Sequence, residues 1–322
     1  MRLFVTFVLG YVAAASFFIW VHDADPVARL SAVVASLPGQ LGFFLSNGWT
    51  FLLPFVALIA VAPDRGALVR RIPAAGITLV AVGVFTLCFT MVKATLPQAM
   101  PFWADPLMAD IDRALHLGHD PWALTHALPF AIPPEAAHKI YLSLWLLPSM
   151  WLPVFVVLLD RDVARQRRFI TLYVLSWVIL GNILAWGFMS AGPVYYDRLL
   201  GGDTFAGLTA ALQSAGITEG RVGYYHDHLW QLYTSGAQDA GSGISAFPSV
   251  HVAMATVIAL YLFELRRNIW PLSLAIVLLY QFLSVYLGWH YAVDGYASIA
   301  AVVALWLVLR RSARLAEAAV PV

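Results

Sequence analysis

Stretches of about twenty mostly apolar residues, the length an α-helix needs to cross a lipid bilayer, recur along the whole of this chain. Eight are legible, at residues 3–21, 45–61, 74–92, 140–159, 169–189, 249–263, 270–287 and 293–309. In lipid every backbone polar group must be satisfied within the segment, which leaves helices and closed barrels as spanning structures. Runs of this length select the helix. Composition agrees: 61% of the 322 residues are hydrophobic and 11% are charged, against about 25% charged in an ordinary soluble domain. Such a chain cannot clothe a water-facing surface. The expected fold class is all-α, a polytopic transmembrane helix bundle. In the first run, apolar residues continue past Ala13, Ala14 and Ala15 through Phe17, Phe18, Ile19 and Trp20, so it reads as an uncleaved helix rather than a leader. Pro148 and Pro153 inside the fourth run predict a kink.

The loops alternate in charge. Arg2, Arg65, Arg70, Arg71, Arg161, Arg165, Arg167, Arg168, Arg266, Arg267, Arg310, Arg311 and Arg314 fall on one side, 13 of the 19 basic residues. Arg29, Lys93, Arg113, Lys139, Arg198 and Arg221 fall on the other. Short basic loops stay cytoplasmic, so eight helices with both ends inside fit without exception. Dropping the second run would put Arg65, Arg70 and Arg71 outside. The arrangement points to a bacterial inner membrane with the functional face toward the periplasm. No basic stretch is long enough to imply nucleic acid. A single cysteine, Cys88, excludes an intramolecular disulfide and a cysteine-based metal site.

Two long connections lie on the outer side, residues 93–139 and 190–248. The first carries Ile111-Asp112-Arg113-Ala114-Leu115-His116-Leu117 and predicts an interfacial amphipathic helix. The second is rich in glycine but also holds Tyr224, Tyr225, Trp230 and Tyr233, too aromatic for a plain linker; long ordered loops are usually functional. All nine histidines, at 22, 116, 119, 126, 138, 226, 228, 251 and 290, fall on this outer side. The pair His226 and His228 could in principle bind zinc with His251 or His290, but His-x-His is common by chance in a flexible loop, so an ordinary solvated loop is the leading reading and a substrate contact ranks ahead of the metal.

Two segments carry chemistry. Phe247-Pro248-Ser249-Val250-His251 begins the sixth run at its outer end. It sets a hydroxyl, an imidazole and free N–H groups at a helix N-terminus, an arrangement suited to an anion. His290-Tyr291-Ala292-Val293-Asp294 begins the eighth run on the same side. The four-residue spacing stacks Asp294 with His290 on one helix face. A carboxylate there can accept from one ring nitrogen and leave the other as nucleophile or base. A buried structural ion pair is the alternative reading of these two residues.

Together, Pro-Ser-x-His and His-x-x-x-Asp, separated by one helical hairpin, resemble motifs two and three of the type 2 phosphatidic acid phosphatase superfamily. The forms Pro-Ser-Val-His and Gly-Trp-His-Tyr-x-x-Asp look most like the inositol phosphorylceramide synthase branch. The stretch Ala191-Gly192-Pro193-Val194-Tyr195-Tyr196 stands in the place of the first motif. The resemblance implies a six-helix catalytic core within residues 74–310, preceded by accessory helices within 1–73 and followed by a cytoplasmic tail at 311–322. It implies His290 as the nucleophile that forms a phosphohistidine, Asp294 as its orienting carboxylate and His251 as the acid for the leaving oxygen. It implies Ser249, with the helix N-terminus, as the holder of the phosphoryl oxygens. Beside it, Arg198 and Arg221 are the nearby basic candidates for substrate contact, and Tyr195 and Tyr196 read as an interfacial belt or as lining of a lipid entrance. No metal or other cofactor is required.

The sequence also departs from the phosphatase pattern. Ser284 stands where those enzymes have an arginine, and the first motif lacks its lysine and arginine. A cation-poor site suits a phosphodiester, with one negative charge, better than a monoester with nearly two. The expected activity is transfer of a phosphoryl-linked head group between lipids. The alternatives are a lipid phosphate phosphatase of phosphatidate or polyprenyl phosphate type, and a non-catalytic membrane protein or transporter using the His–Asp pair as a proton relay. The partners expected are the bilayer and a lipid phosphate ester.

The topology is directly testable. Single cysteines near Arg70, Arg165 and Arg267 should resist a membrane-impermeant thiol reagent in intact cells, and those near Gly118 and Gly236 should react. Labelling at 165 and 236 from the same side would end the eight-helix arrangement.

Overall fold

A computed structural model describes residues 2–23, 25, 27–28, 31, 35, 65–130, 132–237 and 243–318. The chain is an all-α bundle of membrane type, with no strand among the described residues. Its principal helices are α1 (Arg2–His22), α2 (Arg65–Ala99), α3 (Asp105–Leu115), α4 (Trp145–Leu159), α5 (Val163–Leu175), α6 (Ala206–Ser214), α7 (Arg221–Ser235), α8 (Val250–Leu265), α9 (Trp270–Tyr286) and α10 (Ala292–Ala318). Five stretches are long and apolar enough to cross a membrane: Leu3–His22, Gly66–Ala99, Val163–Gly187, Arg267–Tyr286 and Ala292–Ser312. A sixth is the bent pair Pro134–Leu144 and Pro148–Leu159, broken by 43°. The predicted run at 45–61 lies outside the described residues.

Each irregularity has a local cause. Pro148 has no N–H for the carbonyl four residues back, and the turn before it, Lys139–Leu144, is a wide π-helix. Pro153 leaves the Ser149 carbonyl without its helical donor in the same way. The Tyr173 hydroxyl, from α5, donates to that carbonyl at 2.9 Å. The Tyr280 hydroxyl donates to the Ile140 carbonyl at 2.9 Å. A second π stretch, Ser176–Leu184, carries α5 outward. Within it Gly181 has no room for a side chain: a Cβ would lie 2.6 Å from the Phe89 ring.

Helix α8, sixteen residues long, is shorter than an ordinary span, and it is the most enclosed. Val252, Ala253, Met254, Ala255 and Val257 are all buried, so it is solvated mainly by its neighbours. One continuous apolar cluster runs from Phe4, Val8 and Tyr11 on α1 to Val302 and Trp306 on α10. The first helix is therefore part of the bundle core. The Tyr11 hydroxyl donates to Asn182 at 2.7 Å, and its ring lies 4.9 Å from Phe85.

The two ends of the bundle differ. One end carries the arginines of the α4–α5 and α8–α9 turns. There Arg165 Nε donates to Asp160 at 2.7 Å, Arg168 pairs with Glu264 at 2.7 Å, and Trp306 donates to Glu264 at 2.6 Å. The other end carries the long connections. The predicted amphipathic helix is α3, beginning six residues before Ile111. The glycine-rich connection folds into α6 and α7. The expected loop at 93–139 starts later than the sequence implied, because α2 runs 35 residues, to Ala99. Lys93 is thus a helical residue. Apolar periodicity ends near Val92, whereas helix propensity and packing carry the backbone on for two more turns.

The segment between the fifth and sixth spans turns sharply at Gly192, whose φ of 98° is open to glycine. A Cβ there would lie 2.5 Å from the Trp289 carbonyl oxygen. Gly192→Ala should therefore lower the thermal midpoint in detergent, by a loss of roughly 1–3 kcal/mol. An unchanged midpoint would mean that this turn does not hold the 289–290 segment.

Candidate active site

The site is assembled where α8, α9 and α10 meet the long connections of the bundle. Two acids on α3 organise it. Asp112 accepts from the backbone N–H groups of Ala292 at 2.7 Å and Val293 at 2.8 Å, closing the N-terminus of α10. Burial pushes its carboxyl up to about 6, while the two amides oppose the shift. Asp105 accepts from the N–H groups of Ala191 at 2.8 Å and Gly192 at 2.9 Å, from Ser190 Oγ at 3.3 Å and from Tyr291 Oη at 3.0 Å. It ties the first-motif turn to the residue after His290. Burial raises its carboxyl above the usual range, and these donors pull it back.

His290 lies between α9 and α10 and is 7% exposed. Its N–H donates to the Ser284 carbonyl at 3.1 Å. Its Nδ1 lies 3.1 Å from Asp294 Oδ2, and the same oxygen accepts from the Tyr291 N–H at 3.1 Å. This fixes the ring with Nδ1 toward the carboxylate and Nε2 away from it. Burial, then the charge of Lys93, push the His290 imidazole down to about 3 against an opposing bond to the Ala246 backbone. The ring is neutral at physiological pH, the state a nitrogen nucleophile requires.

His251 stands opposite, its ring centroid 6.4 Å from that of His290. It is stacked between Trp145 at 4.1 Å and Tyr141 at 4.5 Å. The Trp145 indole N–H donates to the His251 carbonyl at 3.2 Å. His251 Nε2 is buried without a hydrogen-bond partner among the described residues. Ser249 caps α8: its Oγ accepts from the Val252 N–H at 3.4 Å. The Ser249 N–H donates to the Asp294 carbonyl at 3.2 Å, and Ser298 Oγ donates to the Ser249 carbonyl at 2.9 Å. These bonds lock the starts of α8 and α10 together.

The structure therefore brings His251, His290, Asp294 and Ser249 into one cluster. It places the other expected contacts further out. Tyr195 is buried and its hydroxyl donates to the His226 carbonyl at 3.0 Å. Tyr196 packs on Phe205 with centroids 4.9 Å apart. Arg198 is paired with Asp227 at 2.8 Å. Arg221 is exposed at the start of α7. His226 and His228, two residues apart on that helix, point apart. His226 is buried against Trp289 at 4.2 Å, and His228 stacks on Tyr224 at 5.6 Å. Among the described residues no group of three or more His, Cys, Asp or Glu side chains is placed to hold a metal ion. Ser284 is fully buried, with Oγ donating to the Gln281 carbonyl at 2.7 Å. An arginine at that position would have to displace its neighbours.

A comparison with protein families matches the PAP2 superfamily over residues 106–308, well over half of the chain. The chain belongs to the PAP2 superfamily. It is accordingly an enzyme of the lipid phosphatase and phosphotransferase type. No curated protein and no solved structure matches it. The matched region contains both histidine motifs, α3 from its second residue, and α6 and α7. It begins after α2, so Lys93, whose charge acts on both histidine rings, is contributed from outside the PAP2 region.

Asp105, Asp112, Tyr141, Trp145 and Lys93 belong to the framework of the site, and reading by motif passes over them. The two acids do leave a signal in the sequence: carboxylates seven residues apart on the face of an amphipathic helix that also carries the buried Met108 and Ala109. A carboxyl raised in the folded state binds its proton more tightly there than in the unfolded chain. Asp112 thus favours folding most below its unfolded value near 4 and loses that contribution as pH rises through about 6. Relative to Asp112→Asn, wild type should lose stability between pH 4 and pH 6. A constant difference in thermal midpoint across that range would show that Asp112 does not titrate there.

Proposed function

We propose that this PAP2 enzyme moves a phosphoryl-linked head group between lipids through a phosphohistidine on His290, as in the inositol phosphorylceramide synthase branch that its motifs resemble. The observation that carries the reading is the cluster itself. A neutral imidazole is held by Asp294 at 3.1 Å, and a second imidazole, whose Nε2 has no hydrogen-bond partner among the described residues, stands 6.4 Å away, centroid to centroid.

The step is a double displacement. The Nε2 lone pair of His290 attacks phosphorus. The bond from phosphorus to the leaving oxygen breaks, its electron pair stays on that oxygen, and His251, which takes up a proton from water as the anionic substrate binds, supplies it from Nε2. The phosphorylated ring is then an imidazolium, and the Asp294 carboxylate accepts from its Nδ1–H and offsets its charge. In the second step an acceptor hydroxyl gives its proton to His251 and attacks phosphorus. The phosphorus–nitrogen bond breaks and its electron pair returns to His290. Ser249 and the first turn of α8 hold the phosphoryl oxygens, where N–H groups and the positive end of the helix favour an anion.

A phosphodiester donor is supported by the scarcity of cations: Arg198 is engaged with Asp227, and Ser284 stands where phosphatases carry an arginine. The substrate is read as a lipid entering sideways from the leaflet, at a site facing the periplasm. Residues 74–310 form the catalytic unit in this reading, with 1–73 accessory and 311–322 a cytoplasmic tail. Tyr195, Tyr196, Arg198 and Arg221 shape the outer approach.

Purified protein in detergent, offered labelled lipid phosphomonoesters and phosphodiesters, tests the reading through released phosphate and new lipid products. Head-group transfer from a diester should dominate, and His290→Ala should abolish it. A wild type that hydrolyses monoesters much faster than any diester would make the enzyme a lipid phosphate phosphatase. Near wild-type turnover in His290→Ala would remove the phosphohistidine.

A further inference from the structure

Lys93 is held at the site by packing from both sides. One turn earlier on the same face of α2, Phe89 is buried against Trp177 at 4.6 Å. A Cβ at Gly181 would meet the Phe89 ring at 2.6 Å and the Val250 side chain at 3.0 Å. This face of α2 is therefore turned to the first residue of α8, and His251 is the next residue. One turn later Leu96 is buried as well, so Lys93 stands on the inward stripe of the helix. From the other direction, Gly243 lies directly on the backbone of Lys93. A Cβ at Gly243, where φ is 113°, would be 2.8 Å from the Lys93 carbonyl carbon and oxygen and from the Ala94 nitrogen. Six residues further on, the same segment reaches Ser249. The turn of α2 that carries Lys93 is thus wedged between the start of α8 and the stretch of chain leading into it.

We propose that Lys93 is the phosphate-binding cation of this active site, its ammonium pairing with a non-bridging phosphoryl oxygen of the lipid substrate beside His251 and His290. The proposal rests on the phosphoryl-transfer reading above and sharpens its substrate class. A lysine supplies one compact positive charge, which matches the single negative charge of a phosphodiester and leaves a monoester dianion half neutralised. Two features of the chain agree. The arginines expected at the site are exposed or paired elsewhere, and the position of the phosphatase arginine is a buried serine. The electrostatic reach of Lys93 extends to both histidine rings. The cation is then supplied by a helix outside the matched PAP2 region, so a chain shortened to residues 106–308 would hold the nucleophile without its counter-charge.

The test uses the full chain in detergent, with Lys93→Met and Lys93→Arg beside wild type, and reads lipid turnover together with inhibition by orthovanadate, an anionic mimic of the transferring phosphoryl group. Lys93→Met should lower turnover by about 100- to 1,000-fold, the usual cost of removing one preorganised group that stabilises developing negative charge. It should weaken orthovanadate inhibition to a similar degree. Lys93→Arg should keep both within about tenfold, since the charge is retained. Acylation of amines in the wild type, mapped by peptide mass, serves if Lys93→Met fails to fold: orthovanadate should protect Lys93 from modification. Turnover and orthovanadate inhibition in Lys93→Met within a factor of about three of wild type, or equal acylation of Lys93 with and without the anion, would overturn the proposal. His290→Ala, run in parallel, separates the two readings. An inactive His290→Ala beside a fully active Lys93→Met removes the role of Lys93 alone, and a wild type inert toward every phosphate ester and blind to orthovanadate removes both.

Discussion

A helix that begins inside an apolar bundle exposes N–H groups that water cannot reach, and each must find an acceptor. Two helices of this enzyme begin side by side at the site, α8 and α10. Asp112 takes the amides of α10 at 2.7 and 2.8 Å. That carboxylate fills the place an anionic ligand would take. Among the described residues the start of α8 is capped by the Ser249 hydroxyl, and in the proposed reading it is the end that receives a phosphoryl group. The division of labour between the two helix starts follows from one acidic side chain on α3. So does the position of His290, which the beginning of α10 carries.

Around this arrangement the protein keeps charge sparse and assigned. Asp105 is satisfied by four donors, Asp294 faces His290 and the Tyr291 amide, and Arg198 is neutralised by Asp227. The ion pairs at the opposite end, around Asp160 and Glu264, join the end of α4, α5 and α8, and the Trp306 indole adds α10 through a hydrogen bond to Glu264. In the proposed reading this scarcity of spare cations is what disfavours a doubly charged phosphate, which would find too little positive charge to replace its water. Family membership sets the reaction type, and the proposal assigns the choice among substrates to the local supply of charge.

Much of this is legible in the sequence. Hydropathy alone marks seven of the helices in the bundle, and the alternation of arginine puts the α4–α5 and α8–α9 turns at one end. The spacing of His290 and Asp294 announces their contact, since helical geometry makes residues four apart neighbours. What is not legible lies across long separations. Asp112 and Ala292 are 180 residues apart, Asp105 and Tyr291 are 186 apart, and Tyr141 and Trp145 meet His251 from another helix. No periodicity records such pairs; they arise only when the helices pack. Lys93 escapes for a different reason: the apolar run ends near it, and a helix continues beyond its apolar stretch wherever neighbours accept it.

The proline bend of α4 has a consequence for how this bundle can change over time. Pro153 strands the Ser149 carbonyl and the Tyr173 hydroxyl claims it, so side chains on two different helices share one polar need. Were the proline lost, the regained helical amide would compete for the same oxygen and the phenol would become surplus. Were the tyrosine lost first, a carbonyl would sit in hydrocarbon with no donor at all. The order of substitution therefore matters, and a lineage leaving this arrangement has a passable route only by giving up the bend before the hydroxyl.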